Sequence, residues 1–151
     1  MLTAAQTMQK QVFALASNQL VLDAIRELLQ RGFSGAPVVD DGKIVGVFSE
    51  RDALTAIAAA HYEDDPPGTV AQHMRREFAV VDGQADLYEL AMVFRDHAVR
   101  WLPVVDRRCT LLGIVSRSDV LSAMHRLYKH REKSNYERLQ EHMALKHGPL
   151  H

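Results

Sequence analysis

The 151-residue sequence predicts a mixed α/β (α+β) fold made of two β-α-β-β-α repeats and an extended C-terminal helix. Two observations carry this reading. Gly35-Ala36-Pro37-Val38-Val39-Asp40, followed by Ile44-Val45-Gly46-Val47-Phe48-Ser49-Glu50-Arg51-Asp52, returns as Trp101-Leu102-Pro103-Val104-Val105-Asp106 and Leu111-Leu112-Gly113-Ile114-Val115-Ser116-Arg117-Ser118-Asp119. The prolines stand 66 positions apart (103 minus 37) and the glycines 67 apart (113 minus 46), so one residue of slippage falls in the intervening loop. A duplicated unit of this size implies two halves that bury apolar faces on each other. A cleft between matched halves is then a natural place for a ligand.

Taken in order, Val12 to Leu15 is a short apolar run that reads as a strand. Val21, Leu22, Ala24, Ile25, Leu28 and Leu29 follow helical spacing, with Asn18 as a candidate cap and Gly32 as the stop signal. Pro37 to Val39 reads as a strand with proline at its first position. Asp41-Gly42 marks a tight turn, and Ile44 to Phe48 is the returning strand of a hairpin. Ser49 opens a helix through Ala53, Leu54, Ile57 and Ala58, which the acidic, proline-bearing stretch from Glu63 to Gly68 cannot continue.

The second copy repeats this order. Phe78 to Val81 is a strand, and Leu87, Leu90, Ala91, Phe94 and Ala98 mark a helix. Leu102 to Val105 and Leu111 to Val115 form the second hairpin, and Ser116 opens the last helix. Arg107-Arg108-Cys109-Thr110 has no glycine, so a longer loop with a different turn is expected there. Val120, Leu121, Met124, Leu127 and Tyr128 continue the last helical stripe, which Tyr136, Leu139 and Met143 prolong across the polar Lys129–Lys133. The chain thus divides into a first repeat (1–62), a linker (63–69), a second repeat (70–128) and a C-terminal helical extension (129–151). The extension reads either as a solvated helix that frays toward Gly148-Pro149 or as an arm that packs on a second copy or a partner.

Bulk composition narrows the function. With 47% hydrophobic residues the chain can bury a core without staples. Eighteen basic against 19 acidic residues give no global field toward nucleic acid or acidic lipid. The single cysteine, Cys109, cannot form an internal disulfide, which fits a reducing compartment. No signal-peptide pattern opens the chain, and no apolar stretch approaches the ~20 residues of a membrane span. A cytoplasmic protein is the expectation. No glycine-rich phosphate loop, Gly-x-Ser-x-Gly or His-Glu-x-x-His occurs, and the eight histidines show no metal-ligand spacing. An enzyme is therefore not expected.

The candidate site residues lie in the repeated segments. Ser49-x-x-Asp52 and Ser116-x-x-Asp119 each follow an apolar strand. Such a pair reads as a capping box, which stabilises a helix by ~1 kcal/mol. Taken alone the motif favours that capping role, and the same residues also suit a ligand site. A helix N-terminus attracts phosphate, and an aspartate one turn in can accept two hydrogen bonds from a vicinal diol such as ribose. Pro37 and Pro103 donate no hydrogen bond, so the backbone ahead of them, Ser34-Gly35-Ala36 and Arg100-Trp101-Leu102, is open to read an adenine edge. Trp101 is available to stack on a base or to fill the core.

These residues resemble the cystathionine β-synthase (CBS) domain, twice over. Gly-Ala-Pro-Val-Val-Asp, a short loop and Ile-Val-Gly-Val-Phe-Ser-Glu-Arg-Asp carry the resemblance, as do Met8 and Met74, which lead their repeats in the manner of the family's Val-x-x-x-Met opening. The resemblance runs from about Ala4 to Met124. It implies two repeats packed through their sheets as a pseudo-twofold pair (a Bateman module), commonly dimerised into a disc. It also implies that AMP, ADP, ATP or S-adenosylmethionine binds between the repeats as a regulatory ligand, with no cofactor required. Carried over by motif, one site is Ser34 to Pro37 with Ser49, Arg51 and Asp52. The other is Arg100 to Pro103 with Ser116, Arg117, Ser118 and Asp119, with Ser118 where the first has Arg51 and Arg117 available to compensate.

The expected function is a stand-alone, non-catalytic adenine-nucleotide sensor that shifts module or dimer conformation on binding. The alternative is a structural module that dimerises or captures a target protein without ligand. A homodimer is expected on either reading.

Overall fold

The structure is a computed structural model that describes residues 1–147. Its elements run α1 (Ala4–Thr7), α2 (Val21–Arg31), β1 (Gly35–Asp40), β2 (Lys43–Ser49), α3 (Glu50–Glu63), α4 (Val70–His73), β3 (Val81–Asp82), α5 (Leu87–Asp96), β4 (Trp101–Val105), β5 (Leu111–Ser116) and α6 (Arg117–His147). β1 and β2 form an antiparallel hairpin, and β3, β4 and β5 form a second sheet with β4 at its centre.

Sequence chemistry explains most of the boundaries. Gly32 ends α2 in the left-handed conformation (φ 67°), which glycine adopts without steric cost. Ser49 caps α3: its side chain accepts from the Asp52 N–H, while Asp52 reaches back to the Ser49 N–H. α1 and α4 open on matching boxes, Thr3 with Gln6 and Thr69 with Gln72. Asp41-Gly42 turns the first hairpin, both residues at positive φ. The second turn is longer, as expected. Asp106 accepts from the N–H groups of Arg108 (2.8 Å) and Thr110 (3.0 Å), and Cys109 takes the left-handed conformation (φ 63°).

Several expectations need correction. Val12–Leu15 is not a strand; only Leu15 bridges, in parallel, to Val38. The strand expected over Phe78–Val81 is confined to Val81–Asp82. Both segments lie beside a strand that already has an antiparallel partner, so a single bridge or two-residue pairing suffices. The cap of α2 is Leu20, not Asn18, and α5 ends at Asp96, before Ala98. Pro37 and Pro103 are the third residues of their strands, not the first. The missing N–H is tolerated because the residues opposite, Val47 and Ile114, direct their backbone groups to Arg75 and Gln9 and not to the proline.

The two halves exchange their opening segments. Ala4 and Met8 belong to the core of the second half, around Leu87, Leu90, Leu102, Val104 and Val115. Val70 and Met74 belong to the core of the first, around Leu15, Val21, Val38 and Phe48. Residues Gly46 and Gly113 make this possible. A Cβ on Gly46 would stand 2.7 Å from the Met74 sulfur and 2.8 Å from the Arg75 carbonyl. One on Gly113 would stand 2.7 Å from the Met8 sulfur and 2.6 Å from the Gln9 carbonyl. The hairpin tips are reciprocal too: Ile44 N–H donates to the Cys109 carbonyl and Leu111 N–H to the Gly42 carbonyl, each at 3.0 Å. These matched contacts are those of a pseudo-twofold pair joined through its sheets.

α6 leaves the body after Leu127. Val120 and Ala123 are buried, whereas Tyr128, Tyr136, Leu139 and Met143 are exposed. Residues 129–133 are helical, and the extension beyond 147 lies outside the described residues. Among the described residues no helix is long and apolar enough to cross a membrane.

Candidate functional site

Segment exchange builds two clefts, each drawn from both halves. Val47 and Arg75 share a reciprocal pair of backbone hydrogen bonds (3.0 and 2.9 Å), which sets the start of the second half beside the β2–α3 junction. Ile114 and Gln9 do the same (3.0 and 2.8 Å) at the β5–α6 junction.

The first cleft encloses about 430 Å³. From the β2–α3 junction come Ser49, Arg51 and Asp52; from the following segment Arg75, Glu77 and Phe78; from the α5–β4 region His97, Arg100, Trp101 and Pro103. The second encloses about 520 Å³ and is lined by Ser116, Arg117 and Ser118, by Gln9, Gln11 and Phe13, and by Phe33 and Pro37. Ser34, Gly35, Arg100 and Trp101 line both. Both volumes lie in the range of small-molecule sites, about 300–1,000 Å³.

The structure regroups the candidate residues. Pro103, not Pro37, accompanies Ser49, Arg51 and Asp52, while Pro37 accompanies Ser116, Arg117 and Ser118. The motif grouping within one repeat is therefore crossed, because each helix N-terminus faces the other half's proline strand. Ala36 and Leu102 are core residues, 2% and 1% exposed, and line neither cleft. Strand alternation explains this: Gly35 and Pro37, and Trp101 and Pro103, point one way and their neighbours the other. Asp119 is half-buried and is not among the lining residues of the second cleft.

The two aspartates differ in their bonds. Asp52 Oδ2 accepts from the Ser49 N–H and Oγ, both at 2.9 Å, and Oδ1 accepts from Arg75 Nε at 3.3 Å. Its side chain is 11% exposed. Asp119 Oδ2 accepts from the Ser116 N–H at 3.1 Å, and no cation pairs with it among the described residues. Gln9 stands where Arg75 stands in the first cleft. Asp52 thus serves as capping residue and cleft wall at once. A diol approaching it would share the carboxylate with Arg75.

Electrostatics separate the clefts further. The first combines Arg51, Arg75 and Arg100 with Asp52 and Glu77. The second has Arg100 and Arg117 and no acidic lining residue. Cations beside a helix N-terminus suit an anionic group. In the second cleft Phe13 and Phe33 pack with centroids 5.9 Å apart, and the Arg31 guanidinium covers Phe13 at 4.2 Å.

Arg75, Glu77, His97 and Gln9, Gln11, Phe13 were not anticipated from the sequence. A signal existed: Gln9, Gln11 and Phe13 match Arg75, Glu77 and Ala79 at the same 66-residue offset (75 minus 9). No group of three or more His, Cys, Asp or Glu is placed to hold a metal among the described residues.

Comparison with known proteins fits this geometry. The CBS domain model matches residues 4–59 and 70–126. The A-adding tRNA nucleotidyltransferase of Aquifex aeolicus is 31% identical over 113 residues, 74% of this chain and 13% of that enzyme. The CBS domain-containing protein YhcV of Bacillus subtilis is 28% identical over 114 residues, 76% of this chain and 79% of that protein. Three of the curated relatives are much longer, the match taking in 13%, 36% and 42% of their lengths. Among solved structures, Arabidopsis thaliana CBSX2 in complex with AMP aligns with a TM-score of 0.74 at 26% identity, covering 85% of this chain and 99% of that one. The duplicated hairpins, the exchanged openings and these matches together show that the chain belongs to the CBS domain family, with two copies in tandem.

Proposed function

We propose that this chain is a non-catalytic regulatory module that binds an adenosine nucleotide (AMP, ADP or ATP) between its two repeats and signals by a change of conformation or assembly. One observation supports this above the rest. Ser49 and Asp52, at the N-terminus of α3, face Arg100, Trp101 and Pro103 of the other repeat across one cleft. That set offers a diol acceptor, cations for phosphate and an indole for a base. The likeness to CBSX2 in complex with AMP supports an adenosine-containing ligand. The first cleft is the better ribose site, because Asp52 lines it and Asp119 does not line the second. S-adenosylmethionine shares the adenosine moiety and is the other ligand to test. The likeness to the Aquifex enzyme takes in 13% of it, so its activity is not carried over. A cytoplasmic homodimer is the proposed working form.

Titration calorimetry with AMP, ATP and S-adenosylmethionine tests the reading. Saturable heat with at least one supports it; none with any, up to millimolar concentration, rejects it. A second reading, a ligand-free interaction module, draws on the exposed apolar residues of α6 and on the engagement of both Asp52 oxygens within the protein. It predicts self-association or partner capture that nucleotide does not change.

A further inference from the structure

The two clefts meet at the pseudo-twofold axis, and the wall between them is asymmetric. Ser34, Gly35, Arg100 and Trp101 line both clefts. They form two equivalent pairs at the 66-residue offset: Ser34 with Arg100, and Gly35 with Trp101. A symmetric wall would carry two cations or none. This one carries a single arginine, opposite a serine.

A Cβ on Gly35 would lie 3.1 Å from the Phe48 carbonyl and 3.2 Å from the Ser49 Cα, so the glycine side of the wall is crowded by its own hairpin. Arg100 is exposed, its backbone carbonyl accepts from the Arg117 N–H at 2.9 Å, and its guanidinium has no carboxylate partner among the described residues. One long, unpaired cation therefore borders two sites that each suit an anion.

On the reading that these clefts take nucleotides, we infer that they are negatively coupled through Arg100: a phosphate bound in one cleft draws the guanidinium away from the other. Each cleft then has cations of its own left. The first retains Arg51 and Arg75 beside Asp52 and Glu77, the second Arg117 with no acidic lining residue. The first cleft, whose wall holds Asp52 for a ribose, fills first, and the second then fills with lower affinity. Linkage makes the penalty reciprocal, and couplings of this kind are typically 5- to 150-fold, of the order of tenfold here.

Trp101 supplies the readout, being the only tryptophan and lining both clefts. The experiment titrates AMP into the full chain, followed by calorimetry and Trp101 fluorescence, for wild type, Arg100→Ala and Arg100→Lys. The expected wild-type result is two binding steps, separated both by the Asp52 difference between the clefts and by the coupling. Arg100→Ala should weaken the first step and narrow that separation by roughly tenfold; Arg100→Lys, which keeps the charge, should leave most of it. Two equal steps in wild type would overturn the inference. So would a separation that Arg100→Ala leaves unchanged, or a single step in every variant. Binding without coupling leaves the nucleotide reading intact, whereas no heat and no fluorescence change with AMP would remove both.

Discussion

Asp52→Ala and Asp119→Ala separate capping from ligand recognition, because the structure gives both residues the first role and only Asp52 a place in a cleft wall. Each carboxylate accepts a backbone N–H, from Ser49 at 2.9 Å and from Ser116 at 3.1 Å. Losing such a cap costs about 1–2 kcal/mol. Asp52 also pairs with Arg75 at 3.3 Å, but Arg75 is 54% exposed, so that pair adds only about 0–1 kcal/mol. Both variants should then melt lower by a similar amount, roughly 2–8 °C for a domain of this size. Binding should part them. A ribose diol on Asp52 makes charge-assisted hydrogen bonds of about 1.5–3 kcal/mol each, but the carboxylate already accepts from Ser49 and Arg75, so its loss should cost a net ~2–3 kcal/mol and weaken AMP binding at the tighter site by ~30- to 150-fold. Asp119→Ala should leave that affinity within a few-fold. Thermal melts establish that both variants fold, and calorimetry at a temperature well below either midpoint gives the affinities. Equal losses of affinity in the two variants, or no loss in Asp52→Ala, would refute the assignment of ribose to Asp52.

Other consequences follow from the same geometry. Gly46→Ala should destabilise the chain by about 1–3 kcal/mol in urea unfolding, since its Cβ would meet the Arg75 carbonyl at 2.8 Å and a backbone atom cannot rotate away; an unchanged midpoint would contradict the exchanged packing. The Asp40 carboxyl is held below its ordinary 3.8, first by the Ser17 hydroxyl and then by the Ser17 N–H. Asp106 is likewise lowered, first by the Thr110 N–H. A folded value below the unfolded one gives stability that is present above the ordinary value and lost as pH falls through the folded value. Urea midpoints should therefore drop on acidification past 3.8, and less so in Asp40→Asn with Asp106→Asn; identical profiles would show that these bonds do not contribute. Truncation after Tyr128 removes only helix that projects beyond the body, so nucleotide affinity and the main unfolding transition should persist while far-UV helicity falls. A mass in solution that halves on truncation would assign self-association to that helix.

Much of this fold could be read from residue order alone, because its strongest signals are local. The hairpins announce themselves through β-branched runs around Asp41-Gly42, and α3 through Ser49 and Asp52. Even the longer second loop was legible, in the absence of glycine between Asp106 and Leu111. What could not be read is non-local. Four-residue helices such as Ala4–Thr7 and Val70–His73 are stabilised by burial in the opposite half, and no local propensity says which core they join. The crossing of the two candidate sites follows from that exchange. So does Arg75, which reaches Asp52 only because its backbone is paired to Val47. The core placement of the Ala36 and Leu102 side chains was legible: strand alternation alone separates them from those of Gly35, Pro37, Trp101 and Pro103. The repeat itself held the remaining clue, since Gly46 and Gly113 mark where Met74 and Met8 must pack.

If the two repeats build one nucleotide site jointly, with Asp52 of the first facing Arg100 and Trp101 of the second, a crystal structure with AMP will show it. The ribose hydroxyls should lie within hydrogen-bond distance of the Asp52 carboxylate, the base beside Trp101 or the backbone ahead of Pro103, and the phosphate toward Arg51 or Arg100. AMP bound elsewhere, or bound here with the ribose turned away from Asp52, would contradict it.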